Sequence, residues 1–207
     1  ASIAGHRVYM YLGQNGMTFT YTGDGTSGLF LWGAQIEAGS FATSYIPTTS
    51  SSLTRSADVC SITGSNFTGM YNQTEGSFFV DAFTPASGSR IIVSTDNNGT
   101  TEVNKIFTSS TASAVEVVDG GTTQAAFTPG SIVANTAFKL ASAYKLNDFA
   151  VSKNGATVIT DTSGTIPTPT QIKIGSGKGV EVICGCISSL RYYKKRLSDA
   201  KLQTLTA

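Results

Sequence analysis

The side chains that could do chemistry in this chain are few and scattered. Its acids are Asp24, Glu37, Asp58, Glu75, Asp81, Asp96, Glu102, Glu116, Asp119, Asp148, Asp161, Glu181 and Asp199. Sugar hydrolysis needs two carboxylates flanking one bond, often set on one strand face as Glu-x-Asp-x-Glu, and that triplet does not occur. Glu116 and Asp119 are near in sequence, but an offset of three puts them on opposite faces of a strand. His6 is the only histidine, and no Gly-x-Ser-x-Gly elbow accompanies it, so a histidine-dependent triad is not expected. Cys60, Cys184 and Cys186 make an odd count. The Cys184-Gly-Cys186 spacing is too short for a zinc knuckle and has no second pair. On a strand both thiols would face one side, and they read as small buried hydrophobes, with no disulfide framework. The pattern favours binding over catalysis.

Three segments are stocked for holding a polar ligand. They are Asp96-Asn97-Asn98-Gly99 running on to Asn104, the Asn147-Asp148 step, and the loop Gly175–Glu181 with Ser176 and Lys178. Their amides, carboxylates and hydroxyls suit sugar hydroxyls, displayed on loops over a rigid scaffold. The competing reading is plain turn chemistry, since Asn, Asp and Gly dominate turns. Calcium would need six or more oxygens where the acids are sparse, so no cofactor is expected. Trp32 could stack on a sugar ring, but within an apolar run beside Gly33 it reads as a core or subunit-interface anchor. Tyr192 and Tyr193 point to opposite strand faces, so at most one of them is core.

These groups must be held by strands. Of the 207 residues 40% are hydrophobic and only 13% charged, Gly is abundant at 22, and the mean hydropathy is +0.04. That is the balance of a turn-rich β protein whose solvent faces carry hydroxyls. A net charge of +1 without a basic stripe argues against a nucleic-acid partner. No apolar run reaches the length of a membrane span, so no membrane insertion is expected. The one cationic cluster, Arg191 to Arg196, reads as a solvated strand end. Short alternating runs recur at 77–83, 90–94, 105–109, 114–118, 123–127, 137–144, 148–153, 156–160, 171–175 and 183–193. Asn154-Gly155 between two of them supplies the positive φ angles of a type I′ hairpin turn. About ten strands and no long helix predict two antiparallel sheets packed as a sandwich. Residues 199–205 predict one closing helix, with Ser198 as its cap and Leu197 and Leu202 flanking it. Too short to stand alone, it must pack on the sandwich. Upstream, 7–12 and 17–21 read as a hairpin around Gly13–Gly16 and 29–36 as a third strand. The chain begins at Ala1 in sequence that already reads as a strand, without a signal peptide, and is expected to be part of a longer protein. The organisation is an N-terminal β-strand unit (1–47), a linker (48–56) and a sandwich (57–207).

Two segments resemble known families. Leu31-Trp-Gly-Ala-Gln-Ile-Glu-Ala-Gly-Ser-Phe-Ala-Thr-Ser-Tyr-Ile-Pro-Thr48, with Thr54-Arg-Ser-Ala-Asp58, is similar to a signature of phage tail-fibre, tailspike and head-fibre proteins. Residues 150–160 with Cys186-Ile-Ser-Ser-Leu-Arg-Tyr-Tyr-Lys-Lys-Arg-Leu-Ser-Asp-Ala-Lys-Leu resemble the end of a concanavalin A-like (laminin G-like) jelly roll. The resemblance implies a homotrimeric virion tail appendage, continuous with an upstream part of the same fibre. It would be made in the bacterial cytoplasm and attach without catalysis to lipopolysaccharide or capsule at the host surface. The alternatives are a purely structural fibre or head-fibre module, and a capsule-degrading glycosidase with a site between subunits.

Overall fold

In a computed structural model the described residues are 25–26, 30–37, 44–54, 60–84, 88–177, 182–183 and 185–207. The chain divides into two compact units, Ala1–Leu53 and Thr54–Ala207. The hairpin expected at 7–21, His6, Lys178 and Cys184 lie outside the described residues.

The second unit is an all-β antiparallel sandwich of the concanavalin A-like, jelly-roll kind with a short closing helix. Its elements run β1 (Cys60–Thr63), α1 (Gly64–Met70), β2 (Glu75–Phe83), β3 (Arg90–Asp96), β4 (Val103–Thr108), β5 (Ala112–Asp119) and β6 (Thr122–Ser131). They continue with β7 (Phe138–Lys145), β8 (Phe149–Lys153), β9 (Ile159–Asp161), β10 (Gln171–Ile174), β11 (Cys186–Tyr193) and α2 (Asp199–Thr206). One sheet has the order β1-β10-β3-β4-β5-β6 and the other β11-β2-β7-β8-β9. All ten strands expected in this unit are present. Asn154 (φ 48°) and Gly155 (φ 73°) form the predicted turn between β8 and β9, closed by the Ala156 amide donating to the Lys153 carbonyl at 2.9 Å.

Strand alternation explains the core. Phe78 and Val80 of β2, Leu140 and Tyr144 of β7, and Phe149 and Val151 of β8 face Ile106 of β4, Val115 and Val117 of β5, Phe127 of β6 and Ile172 of β10. The outward residues of the five-stranded sheet form a second cluster, Phe79, Ala141, Ala143 and Ala150, over which α2 lays Leu202. Every residue of β8 is therefore buried, from both sides. Ser198 occupies the N-cap position, but its side chain makes no capping bond. Its carbonyl instead accepts the amides of Lys201 and Leu202 at 2.8 and 2.9 Å, and Leu197 packs against the second cluster.

Two elements carry no clear sequence signal. β1 is four residues long, and α1 is a glycine-flanked turn of helix whose Phe67 plugs the core beside Tyr71. Tyr71 stacks on Tyr144 and Tyr192, with ring centroids 5.8 and 5.7 Å away. The Tyr144 hydroxyl donates to the Asn72 carbonyl at 2.7 Å and lies 2.9 Å from the Tyr192 hydroxyl. Gly76 makes room for this, since a Cβ there would stand 2.5 Å from the Tyr144 hydroxyl. Tyr192 is thus the core member of the tyrosine pair, and Tyr193 packs half-buried against the α2 cluster.

In the first unit no strand occurs among the described residues, so the run 30–36 is not the strand its apolar pattern suggests. The segment closes on itself instead. The Gln35 side chain accepts the Ile46 amide at 2.8 Å, and the Trp32 ring lies 5.0 Å from that of Tyr45. Phe30, Leu31, Trp32, Ile36 and Leu53 remain exposed.

Candidate functional site

Strand register lines up two polar rows on the outer face of the six-stranded sheet. One runs Ser61–Lys173–Ser94–Lys105–Glu116–Ala126 across all six strands. The next runs Thr63–Gln171–Asp96–Val103–Val118. These positions alternate with Ile172, Thr95, Ile106 and Val117, which point into the core or lie beside it, so the rows face away from it. Among the described residues no helix covers this face. At its far end Ile91 pairs with Phe107, and the loop after β10 crosses there: a Cβ on Gly177 would meet the Ile91 Cδ1 at 2.2 Å.

Asp96 is the hub. Its carboxylate accepts the Ser94 hydroxyl at 3.0 Å, the Asn98 amide at 2.8 Å and the Gln171 side-chain amide at 2.6 Å. The Lys173 ammonium stands 3.6 Å from it and donates to the Asn98 side chain at 3.1 Å. Asn98 takes φ 62°, a left-handed turn position that Asn tolerates, and Asn97 donates to the Thr101 hydroxyl at 3.2 Å. One row away the Lys105 ammonium meets the Glu116 carboxylate at 2.7 Å and sits 4.7 Å from the centre of the Phe107 ring. The result is a fixed, charge-compensated surface on which Phe107 is half-buried while Val103, Ala114 and Val118 are buried. Polar rows beside an aromatic ring are what a sugar, polar at its edge and apolar on its ring face, can use.

The rim at the Asp96 end is tied by the segment 162–170. Glu102 accepts the Thr168 amide at 2.7 Å and the Gly120 amide at 3.0 Å, and Asp119 accepts the Thr165 hydroxyl. The Thr168 amide, then the Gly120 amide, holds the Glu102 carboxyl below the usual carboxylate range. Asn147 accepts the Gly164 amide at 3.0 Å while its own amide donates to the Gly164 carbonyl at 3.1 Å. Asp148 is gripped by Arg196 at 2.7 Å, and the same guanidinium reaches Asp199 at 2.5 Å.

The structure therefore sorts the sequence-derived residues. Asp96, Asn97 and Asn98 come together with Lys173 and Gln171. Asp96, however, is 1% exposed and works as an internal hub, not as a loop side chain open to solvent. Asn104 is 4% exposed on the core-facing side of β4, two residues from Ile106, and does not reach the outer face. Asn147 and Asp148 occupy the same rim but spend their side chains on Gly164 and Arg196. Ser176 is half-buried in the loop after β10. Cys60 and Cys186 are exposed, which corrects their reading as buried hydrophobes: both lie on edge strands, where one flank has no neighbour. Sequence reasoning missed Lys105, Glu116, Phe107, Gln171 and Lys173. Alternation could have put each on an outer face, but only register shows that they adjoin. Among the described residues no three His, Cys, Asp or Glu side chains are placed to share a metal ion. No described helix is long and apolar enough to cross a membrane.

No protein-family model and no curated protein matches the chain. Solved structures do match in fold. The CBM40 of Ruminococcus gnavus IT-sialidase, bound to α2,3-sialyllactose, aligns at 13% identity over 66% of this chain and 84% of that one, with a TM-score of 0.55. The NanB sialidase from Streptococcus pneumoniae aligns at 16% identity over 70% of this chain but 26% of that one, TM-score 0.57. The native heptameric SAP-like pentraxin from Limulus polyphemus aligns at 14% over 67% and 73%, TM-score 0.53. At such identities the likeness is one of fold.

Proposed function

We propose that this chain attaches to a glycan through the outer face of its six-stranded sheet and does not cleave it. The observation that carries this reading is the pair of polar rows, pre-fixed by Asp96, Lys173 and the Lys105–Glu116 pair, on a sheet face that no described helix covers. Preorganised polar groups bind without a further ordering cost. The fold shared with a CBM40 that holds a sialylated sugar supports carbohydrate as the ligand class. The two carboxylates of this face are each engaged by a lysine, which supports attachment over hydrolysis.

The biological setting we propose is a phage tail fibre or spike acting on lipopolysaccharide or capsule. It rests on the similarity of residues 31–48 and 54–58 to such proteins. A trimer fits the exposure of Phe30, Leu31, Trp32, Ile36 and Leu53, apolar side chains that a monomer leaves in water. The same exposed residues favour a second reading, a structural fibre or head-fibre module without a ligand. A bacterial glycan array, run beside an assay for released reducing ends, separates these. Binding without release is expected. Release would make the chain a glycosidase, and no binding would favour the structural reading. Light scattering returning the monomer mass of 21.5 kDa would rule out the trimer.

A further inference from the structure

We infer that the sugar in contact with this face is neutral, carrying no sialate, uronate or phosphate there; the inference rests on the site proposed above. An anionic sugar is held in water by a cation with donors to spare, best a guanidinium that pairs with two oxygens at once. Among the described residues the face offers two cations, and both are committed. The Lys105 ammonium lies 2.7 Å from Glu116 and over the Phe107 ring. Lys173, its side chain 14% exposed, is lodged between Asp96 and the Asn98 side chain. The arginine of this sheet, Arg90, aligns with Thr108 on the core-facing register and turns its guanidinium to the Ser89 carbonyl at 2.9 Å.

Among the described residues, two cations and two anions leave the face without net charge. A third carboxylate would sit against Glu116 and Asp96 with no unpaired cation to offset it, a repulsive element that sets specificity. What the face does offer is neutral. The exposed Ser61 and Thr63 lie at one end of the two rows and the exposed Asn97 and Asn98 at the β3 turn. The half-buried Phe107 ring supplies apolar surface for a ring face.

The test uses the whole 207-residue chain against matched neutral and acidic glycans: lactose against 3′-sialyllactose, and neutral bacterial polysaccharides against uronate-bearing ones. Neutral members should bind about tenfold tighter than their acidic partners, and moving from low to physiological salt should change that binding by less than about twofold. Glu116→Gln releases Lys105 and should gain about tenfold in affinity for the acidic members, its melting temperature checked alongside. A wild-type preference for acidic glycan would overturn the inference, whether the preference is lost with Lys105→Ala or with Lys178→Ala. A folded Glu116→Gln that gains no acidic binding would overturn it too. In those cases the site itself stands if Lys105→Ala or Lys173→Ala alters binding. Neutral binding indifferent to Lys105→Ala and Lys173→Ala, or no glycan binding at all, would remove the site and the inference together.

Discussion

On the five-stranded sheet the outward positions of β2, β7 and β8 carry Phe79, Ala141, Ala143 and Ala150, and Leu202 of α2 closes over them. On the six-stranded sheet the outward positions carry Lys173, Ser94, Lys105 and Glu116; among the described residues α1 sends Phe67 into the core, and no helix lies over these positions. Both faces arise from one alternation of inward and outward side chains. They differ in what the outward residues can do. Alanines let a helix approach the sheet closely, whereas a row of lysine, serine and glutamate side chains is satisfied only when its members pair with each other or with water. One outer face belongs to the core in all but name, and the other carries a polar row that no described helix covers.

This contrast can be tested most severely at Leu202, which is fully buried. Leu202→Ala should cost about 3 kcal/mol in urea denaturation and release α2 from the sheet. A loss below about 1 kcal/mol would mean the helix merely rests there.

The second test concerns the open face. Asp96 lies on it yet is 1% exposed, with three hydrogen-bond donors and a lysine on its carboxylate. Asp96→Ala should destabilise by about 2–3 kcal/mol, because Lys173 and Gln171 lose their acceptor in a place water hardly reaches. If the variant melts within a degree of the parent, the hub is wetter than its burial says.

A smaller effect separates the rim from both faces. The folded chain holds the Glu102 carboxyl below its ordinary 4.5, so the carboxylate is favoured by folding. Its stabilising contribution is complete above that ordinary value and is lost as pH falls through the lower folded one. Melting temperature should fall through this acid window, and Glu102→Gln, which lacks the contribution at every pH, should melt lower near neutrality and show a flatter fall in acid, where the two curves converge. Equal slopes in parent and variant would show that other carboxylates dominate the acid limb.

The least expected effect is the coupling of Lys105 to Glu116, whose side chains are 21% and 28% exposed. A double-mutant cycle should return about 0.5 kcal/mol, as for solvent-screened pairs. A value above about 2 kcal/mol would make the open face as desolvated as the covered one, and the contrast would fail.

Much of the sandwich is legible along the chain, because a strand announces itself locally. The alternation in 77–83 and 137–144, and Asn154-Gly155 between two runs, need no distant partner to be read. The same local logic fails at 30–36, where an apolar run makes no ladder and Trp32 meets Tyr45 instead. It fails again at β1 and α1, four and seven residues whose only strong anchor is Phe67 in the core. For the candidate site, Asp96, Asn97 and Asn98 are recognisable as a polar turn. The partners that make Asp96 a hub, Gln171 and Lys173, come from β10, with 75 residues separating Gln171 from it. Asn104 could have been set aside by parity, since it shares a face with the apolar Ile106.

What this sequence determined by itself is where strands run, where hairpins turn and which residues share a side of a strand, all consequences of a period of two and of local backbone preference. Tertiary structure alone decided which strands are neighbours, and therefore that Lys173, Ser94, Lys105 and Glu116 form one row. It also decided which outer face is covered. Alternation distinguishes two faces of a strand but carries no mark of what packs against them, and α2 docks Leu202 where the outward residues are apolar, three alanines and Phe79.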